Sequence, residues 1–440
     1  MPLALSRHAP PRSYLIAAPL LALALLHGCG GSLGEEAQVR LVNATSNYSG
    51  LDVVVDDETI ISSIAIGSSS AYSKVADGDV SFELRSSGSS STVASTSASI
   101  ASDEHRTLLA YVTDGSLQVV SIGEDEDAPD EGKARLKVLN AASGELASID
   151  VYLVDKDCSA LSDTDVPAFA DVTGVDSSSF SQITASGAGT AYHLCVTSSD
   201  DPSDLRLALP TFTLKSQQVV TLALTRSRGG ALLNAVRIDQ QGTVTAIDNP
   251  SARVRLVASA ASAATVGATA SGVTLSTGTA SPSVGAYRLV DAGTLSPTIT
   301  IDGTAVSSGS FTAPAGADLT LLVAGSATEP TLRLLEDANL PSTSSSKPVK
   351  IRLVNGLNGA SGALLMTVDG DVVADGIAFG AASSATNVAA SSATAIIEVS
   401  LGGSLLKNLA DVTLSSGRVY SYFVLGDAGG TVTGVLRADR

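Results

Sequence analysis

The string Gly30-Gly31-Ser32-Leu33-Gly34 matches the Gly-x-Ser-x-Gly pattern that sets a serine nucleophile on a strand-to-helix turn. That chemistry needs a strand before the serine, a helix after it, and a histidine and a carboxylate within reach. The surrounding glycines predict a tether instead, so the match is read as chance. Histidine is scarce: of four, only His105 and His193 lie beyond residue 28, and they fall far apart in the chain. Both are expected at a surface or strand edge. There is no His-Glu-x-x-His, no Cys-x-x-Cys and no phosphate-cradling loop. Carboxylates cluster at Asp155 and Asp157, at Asp163 and Asp165, at Asp200, Asp201 and Asp204, and along 124–131. None has the Asp-x-Asp-x-Asp-Gly spacing, with a distant Glu, of a calcium loop, and they read as turn formers on solvated edges. The expectation is a chain with no catalytic residues, no metal ligands and no cofactor.

The remaining reactive group is Cys29. It follows an apolar stretch from Tyr14 to Leu26, which Arg7 and Arg12 precede, and the first acid is Glu35. At about 13 residues the stretch is too short for a hydrocarbon core that needs roughly 20, and its layout is that of a cleaved targeting peptide. Leu26-His27-Gly28-Cys29 resembles the lipobox of bacterial lipoproteins, with Leu three before the cysteine and a small residue one before it. His27 departs from the pattern. The resemblance implies cleavage before Cys29, a lipid-carrying Cys29 as the new N-terminus, and anchoring through more than one acyl chain, which a stable anchor requires. Gly30 rather than Asp after the cysteine implies the outer membrane. Residues 29–37 then form a tether reaching about 30 Å.

Loss of residues 1–28 removes two arginines and no acid, which moves the formal charge from −18 to −20. A body so acidic is unsuited to nucleic acid, whose phosphates call for clustered Lys and Arg. Hydrophobic residues make up 44% of the chain but aromatics only 4%, and Trp is absent. The core must therefore come from Val, Leu, Ile and Ala, with few rings for stacking on sugars.

The elements that would position any site come in four copies. Val39-Arg40-Leu41-Val42-Asn43, Leu136-Lys137-Val138-Leu139-Asn140, Val254-Arg255-Leu256-Val257-Ala258 and Ile351-Arg352-Leu353-Val354-Asn355 share one pattern, and their basic residues lie 97, 118 and 97 positions apart. Each alternates as a half-buried strand does. Each unit also closes on a hairpin: runs such as Leu108 to Val112 and Tyr420 to Val424 lead into turns holding Gly115, Gly229-Gly230, Gly325 or Gly429-Gly430. About seven short strands per unit, with no sustained helical period, predict an all-β chain of four tandem immunoglobulin-like β-sandwiches. The units are placed at 38–123, 134–248, 252–337 and 349–440. An acidic linker spans 124–133, a short one Asn249 to Ser251, and a Pro/Ser-rich one 338–348. Such linkers predict beads on flexible joints, in an extended or curved array.

The Arg-Leu-Val-Asn opening, the strand Ile149-Asp150-Val151-Tyr152-Leu153-Val154, the Asp-Gly turn and the closing Ala-Tyr-Val or Tyr-Phe-Val strand resemble domain-of-unknown-function family 4397. The resemblance spans nearly all of the chain beyond the leader, and the third unit departs most, with Ala258-Ser259 in place of Asn. It implies tandem domains of a bacterial surface or envelope protein and brings no activity with it. With Cys29 taken by lipid in an oxidising envelope, Cys158 and Cys195 are expected to form a disulfide. The function expected is a structural or interaction role in the envelope. Its partners are the membrane through the lipid and another envelope component or a neighbouring cell surface. The alternative is a cation-dependent ligand-binding module for calcium or a glycan.

Overall fold

The structure, a computed structural model, describes residues 36–440 apart from 114, 145, 343, 345 and 391–393. Cys29, its tether and the Gly-x-Ser-x-Gly string lie outside the described residues. The rest is built almost wholly from short strands.

In the first unit these are β1 (Glu36–Asn43), β2 (Gly50–Val55), β3 (Glu58–Ala65), β4 (Ser68–Ser69), β5 (Ser73–Ala76), β6 (Gly78–Ser86), β7 (Thr92–Ile100), β8 (His105–Thr113) and β9 (Ser116–Gly123). One sheet runs β4-β1-β8-β9, with β5 continuing the place of β4 along β1, and the other runs β3-β2-β6-β7. Eight strand positions are filled rather than about seven. The first strand lies parallel to β8, with Arg40 opposite Thr107. Antibody-type sandwiches divide their strands differently, but the two-sheet architecture is the same. The fourth unit repeats the order: Thr386–Val388, Val349–Asn358, Val419–Asp427 and Val432–Ala438 form one sheet, and Asp371–Ile377, Leu364–Val368, Ala395–Leu401 and Ser404–Val412 the other.

Each unit has its own core. In the first, Val39 and Leu41 of β1 face Val53, Phe82, Leu84 and Leu108. The other units bury equivalent sets. The repeated asparagine has a structural task at the end of the first strand. Asn43 Nδ2 donates to the Tyr48 and Ile64 carbonyls at 2.9 Å each, and its Oδ1 accepts from Thr45 N at 3.2 Å. Asn140 does the same toward Leu146, Val172 and Ala142, and Asn355 toward Ile377 and Leu357. One amide side chain thus holds the first loop against the third strand and satisfies backbone groups that burial would otherwise leave unpaired.

The units are not beads on free joints. Val42, Leu109 and Tyr111 point out of the first sandwich and pack on Leu139, Ala223, Val236 and Ile238 of the second. Val257 and Leu322 of the third pack likewise on Val354, Phe423 and Leu425 of the fourth. The acidic linker is drawn in at both Glu124 and Pro129, which are buried. Burying the second face of the sheet that holds the first strand removes more apolar area from water than a solvated linker would allow, and so favours the docked arrangement.

Candidate functional site

The repeated basic residue lies on the outward face of the first strand, where the parallel pairing sets it beside a hydroxyl of the neighbouring strand, β8 in the first unit. Arg40 Nε donates to Thr107 Oγ1 at 2.8 Å, and Nη2 to Glu124 Oε2 at 2.7 Å. Across the seam, Nη1 reaches the Gly242 carbonyl of the second unit at 2.5 Å, while Gln241 N returns a bond to Glu124 Oε2 at 2.7 Å. Arg40 and Glu124 are only 4% and 2% exposed. The guanidinium also lies over the Tyr72 ring at 4.9 Å. Burial, then the Glu124 charge, raises the Tyr72 phenol above its usual range.

Between the third and fourth units the arrangement is reciprocal. Arg255 Nε donates to Thr320 Oγ1 at 2.9 Å, and its Nη2 reaches Asp439 Oδ2 of the fourth unit at 3.2 Å. Arg352 Nε donates to Ser421 Oγ at 2.8 Å, Nη1 to the Glu336 carbonyl of the third unit at 3.0 Å, and Nη2 pairs with Asp337. Each unit therefore places its arginine on the acid that follows the last strand of its neighbour. Burial alone would depress the Arg255 guanidinium, but the Asp337 charge and then Asp439 hold it above its usual range. Tyr287 donates to Asp337, and burial followed by that charge raises its phenol well above normal. A second pair, Arg253 with Asp318 at 2.7 Å, extends the network through Asn339. Buried charges persist only where partners and hydrogen bonds replace water, and these are paired on several sides.

The second unit has Lys137 at the repeated position, opposite Thr221, and its ammonium lies 5.9 Å from the Phe180 ring. The third unit lacks the repeated asparagine, and its neighbouring Ser259 crosses the seam instead. Ser259 Oγ donates to the Gly356 carbonyl at 2.6 Å and accepts from Gly426 N at 2.8 Å.

Cys158 and Cys195 are bonded, with sulfurs 2.05 Å apart. Cys195 points outward from the strand Thr190–Ser198, so the bridge holds the insert after Val154 over that face, on a small cluster with Tyr152, Leu205 and Ala208. Three of the four acid clusters do turn-forming work, whereas in the run 124–131 Glu124 is not on a solvated edge but is the buried partner of Arg40. Asp157 Oδ1 accepts from Ser159 N at 2.8 Å, Asp165 Oδ2 from Ser162 N at 2.8 Å, and Asp201 Oδ1 from Ser203 N at 3.1 Å. His105 meets Tyr72 edge-on at 5.2 Å, and His193 lies in the second unit, so the two are not brought together. Among the described residues no group of three or more His, Cys, Asp or Glu is arranged to hold a metal ion.

The family model described as Domain of unknown function (DUF4397) matches residues 37–152. That stretch is what the chain shares with the DUF4397 family. The matched stretch takes in the first sandwich from Ala37 on, the first strand of the second and part of its second strand, including Arg40, Asn43, Lys137 and Asn140. No curated protein matches the chain. Among solved structures, one that is similar is the crystal structure of CBMbc (family CBM26) from Eubacterium rectale Amy13K in complex with maltoheptaose. It is 11% identical, covers 48% of this chain and 95% of that one, and has a TM-score of 0.14. Another is a product complex of SpuA, a multi-modular glycogen-degrading pneumococcal virulence factor. It is 9% identical, covers 85% of this chain and 37% of that one, with a TM-score of 0.16. At such scores neither likeness bears on function.

Sequence reasoning picked out the repeated Arg and Asn as markers of a strand and missed what they do. The signal was present. Leu108-Leu109-Ala110-Tyr111-Val112 is apolar at both parities, which indicates a strand buried on both faces.

Proposed function

We propose that the chain is a lipoprotein of the bacterial envelope, held at the outer membrane through Cys29, with a structural or interaction role and no catalysis. The observation that supports this reading most is the reciprocal seam between the third and fourth units, where Arg255 and Arg352 each bond the neighbouring unit's acid. Sandwiches joined in this way hold their outer faces in fixed relation, which suits a spacer or a composite recognition surface. The buried charged groups satisfy one another across the seams, an arrangement that builds an interface. The partner is a second envelope component or a neighbouring cell surface.

The test is membrane fractionation of cells making the full-length protein and its Cys29→Ser variant, followed by protease shaving of intact cells. The wild type should sediment with membranes through a carbonate wash and the variant should not. A variant that stays with membranes would place the anchor elsewhere. Resistance to shaving would assign the body to the periplasmic side.

A further inference from the structure

A cleft of about 350 Å³ separates the second and third units. That volume falls at the lower end of small-molecule sites, which span roughly 300–1,000 Å³. Its walls are apolar where they meet: Leu205 and Ala208 from the second unit face Val273 and Leu289 from the third. Its rim carries the carboxylates of Asp157 and Asp291 together with the His193 imidazole, and no Lys or Arg is among the described residues that line it. Ser159 donates to Asp157 from both Oγ, at 2.7 Å, and N, at 2.8 Å. These bonds hold the carboxyl below its usual range and keep it charged.

The two walls are fixed relative to each other. Asn249, 1% exposed, donates to the Arg206 and Leu233 carbonyls at 2.7 Å each, and its Oδ1 accepts from Ser251 N at 3.0 Å. A second tie lies at Gly229, whose N donates to the Gly316 carbonyl at 2.9 Å. A Cβ on Gly229 would come within 2.6 Å of Asp318 N, so the contact depends on glycine. The disulfide holds Cys158, part of the lining, against the second unit. The cleft is thus preformed, and a ligand would not have to order it.

We infer that this cleft binds a small amphipathic cation, its apolar body between Leu205, Ala208, Val273 and Leu289 and its ammonium head at Asp157 and Asp291. Apolar walls with an anionic rim complement that class and disfavour its anionic counterpart by leaving two like charges beside the head group.

The test uses the mature chain and three probes of equal tail length: hexyltrimethylammonium, hexyl sulfate and hexanol, with affinity measured by calorimetry. The ammonium should bind most tightly. Asp157→Asn and Asp291→Asn, both at exposed positions, should each weaken it about two- to five-fold, the range for a partly solvated charge pair. Ala208→Phe should abolish binding of all three by filling the floor, with an unchanged melting temperature showing that the variant is folded. Equal affinity for the sulfate, an affinity unchanged in the double Asn variant, or no binding of the ammonium would each overturn the inference.

Discussion

Arg352 offers the sharpest test of the buried seams. It is 2% exposed and makes three contacts: Ser421 Oγ at 2.8 Å, the Glu336 carbonyl at 3.0 Å, and Asp337. Arg352→Met keeps much of the stem and its packing but removes the charge and every donor. Removing one partner of a buried pair costs about 3–5 kcal/mol, because the other charge stays buried. Asp337 keeps Arg255, 3.2 Å away, and Thr320 Oγ1, at 2.8 Å, so the lower end applies: about 3 kcal/mol, or roughly a hundred-fold in the folding equilibrium. The control is Arg228→Met. Arg228 pairs with Glu336 at 2.8 Å, but the two side chains are 53% and 48% exposed, and such pairs contribute about 0–1 kcal/mol. Urea unfolding of the chain, followed by circular dichroism and tyrosine fluorescence, measures both. In the wild type the third and fourth units should unfold together, and in Arg352→Met their transition should move to lower urea or split in two. If Arg352→Met falls within 1 kcal/mol of Arg228→Met, the seam is not what holds these units together.

Asn355→Ala should cost about 2–3 kcal/mol in the same assay, since it leaves the Ile377 carbonyl and Leu357 N without their partner; a cost under 0.5 kcal/mol would remove the asparagine from its structural role. Replacing both Cys158 and Cys195 by Ser opens a loop with a sequence separation of 37, and the chain-entropy model gives a loss of about 4 kcal/mol, to be read as a lower urea midpoint of the second unit. Tyr287 has its folded pKa raised by burial and by Asp337, so its contribution to stability is complete below the unfolded value of about 10 and is lost as pH rises beyond it. Phenolate absorbance should therefore rise in two steps, the later one coinciding with loss of circular dichroism; a single step in a still-folded protein would contradict the burial of Tyr287 and Tyr72.

Period-2 patterning at 39–43, 136–140, 254–258 and 351–355 was enough to place the first strand of each unit, because alternation follows directly from the pleat. Turn chemistry at Gly229-Gly230 was likewise enough for the closing hairpin of the second unit, where Gly230 takes a φ of 81° that glycine tolerates. The DUF4397 resemblance, too, was legible in short strings. What those strings could not carry was the partner of each outward residue. Arg40 meets Gly242 across 202 positions, and Arg255 meets Asp439 across 184. Contacts so remote depend on which sheet faces which, and nothing local in the chain encodes that choice. Alternation predicts one buried face per strand. The run Leu108 to Val112, apolar at both parities, signals a second, but what covers Val42, Leu109 and Phe423 was decided by the docking of the units. The same docking turned Glu124, read as linker, and Asp337, read as the last residue of the third unit, into buried counter-charges, because a carboxylate next to a buried guanidinium is stabilised by pairing, whatever its local sequence suggests.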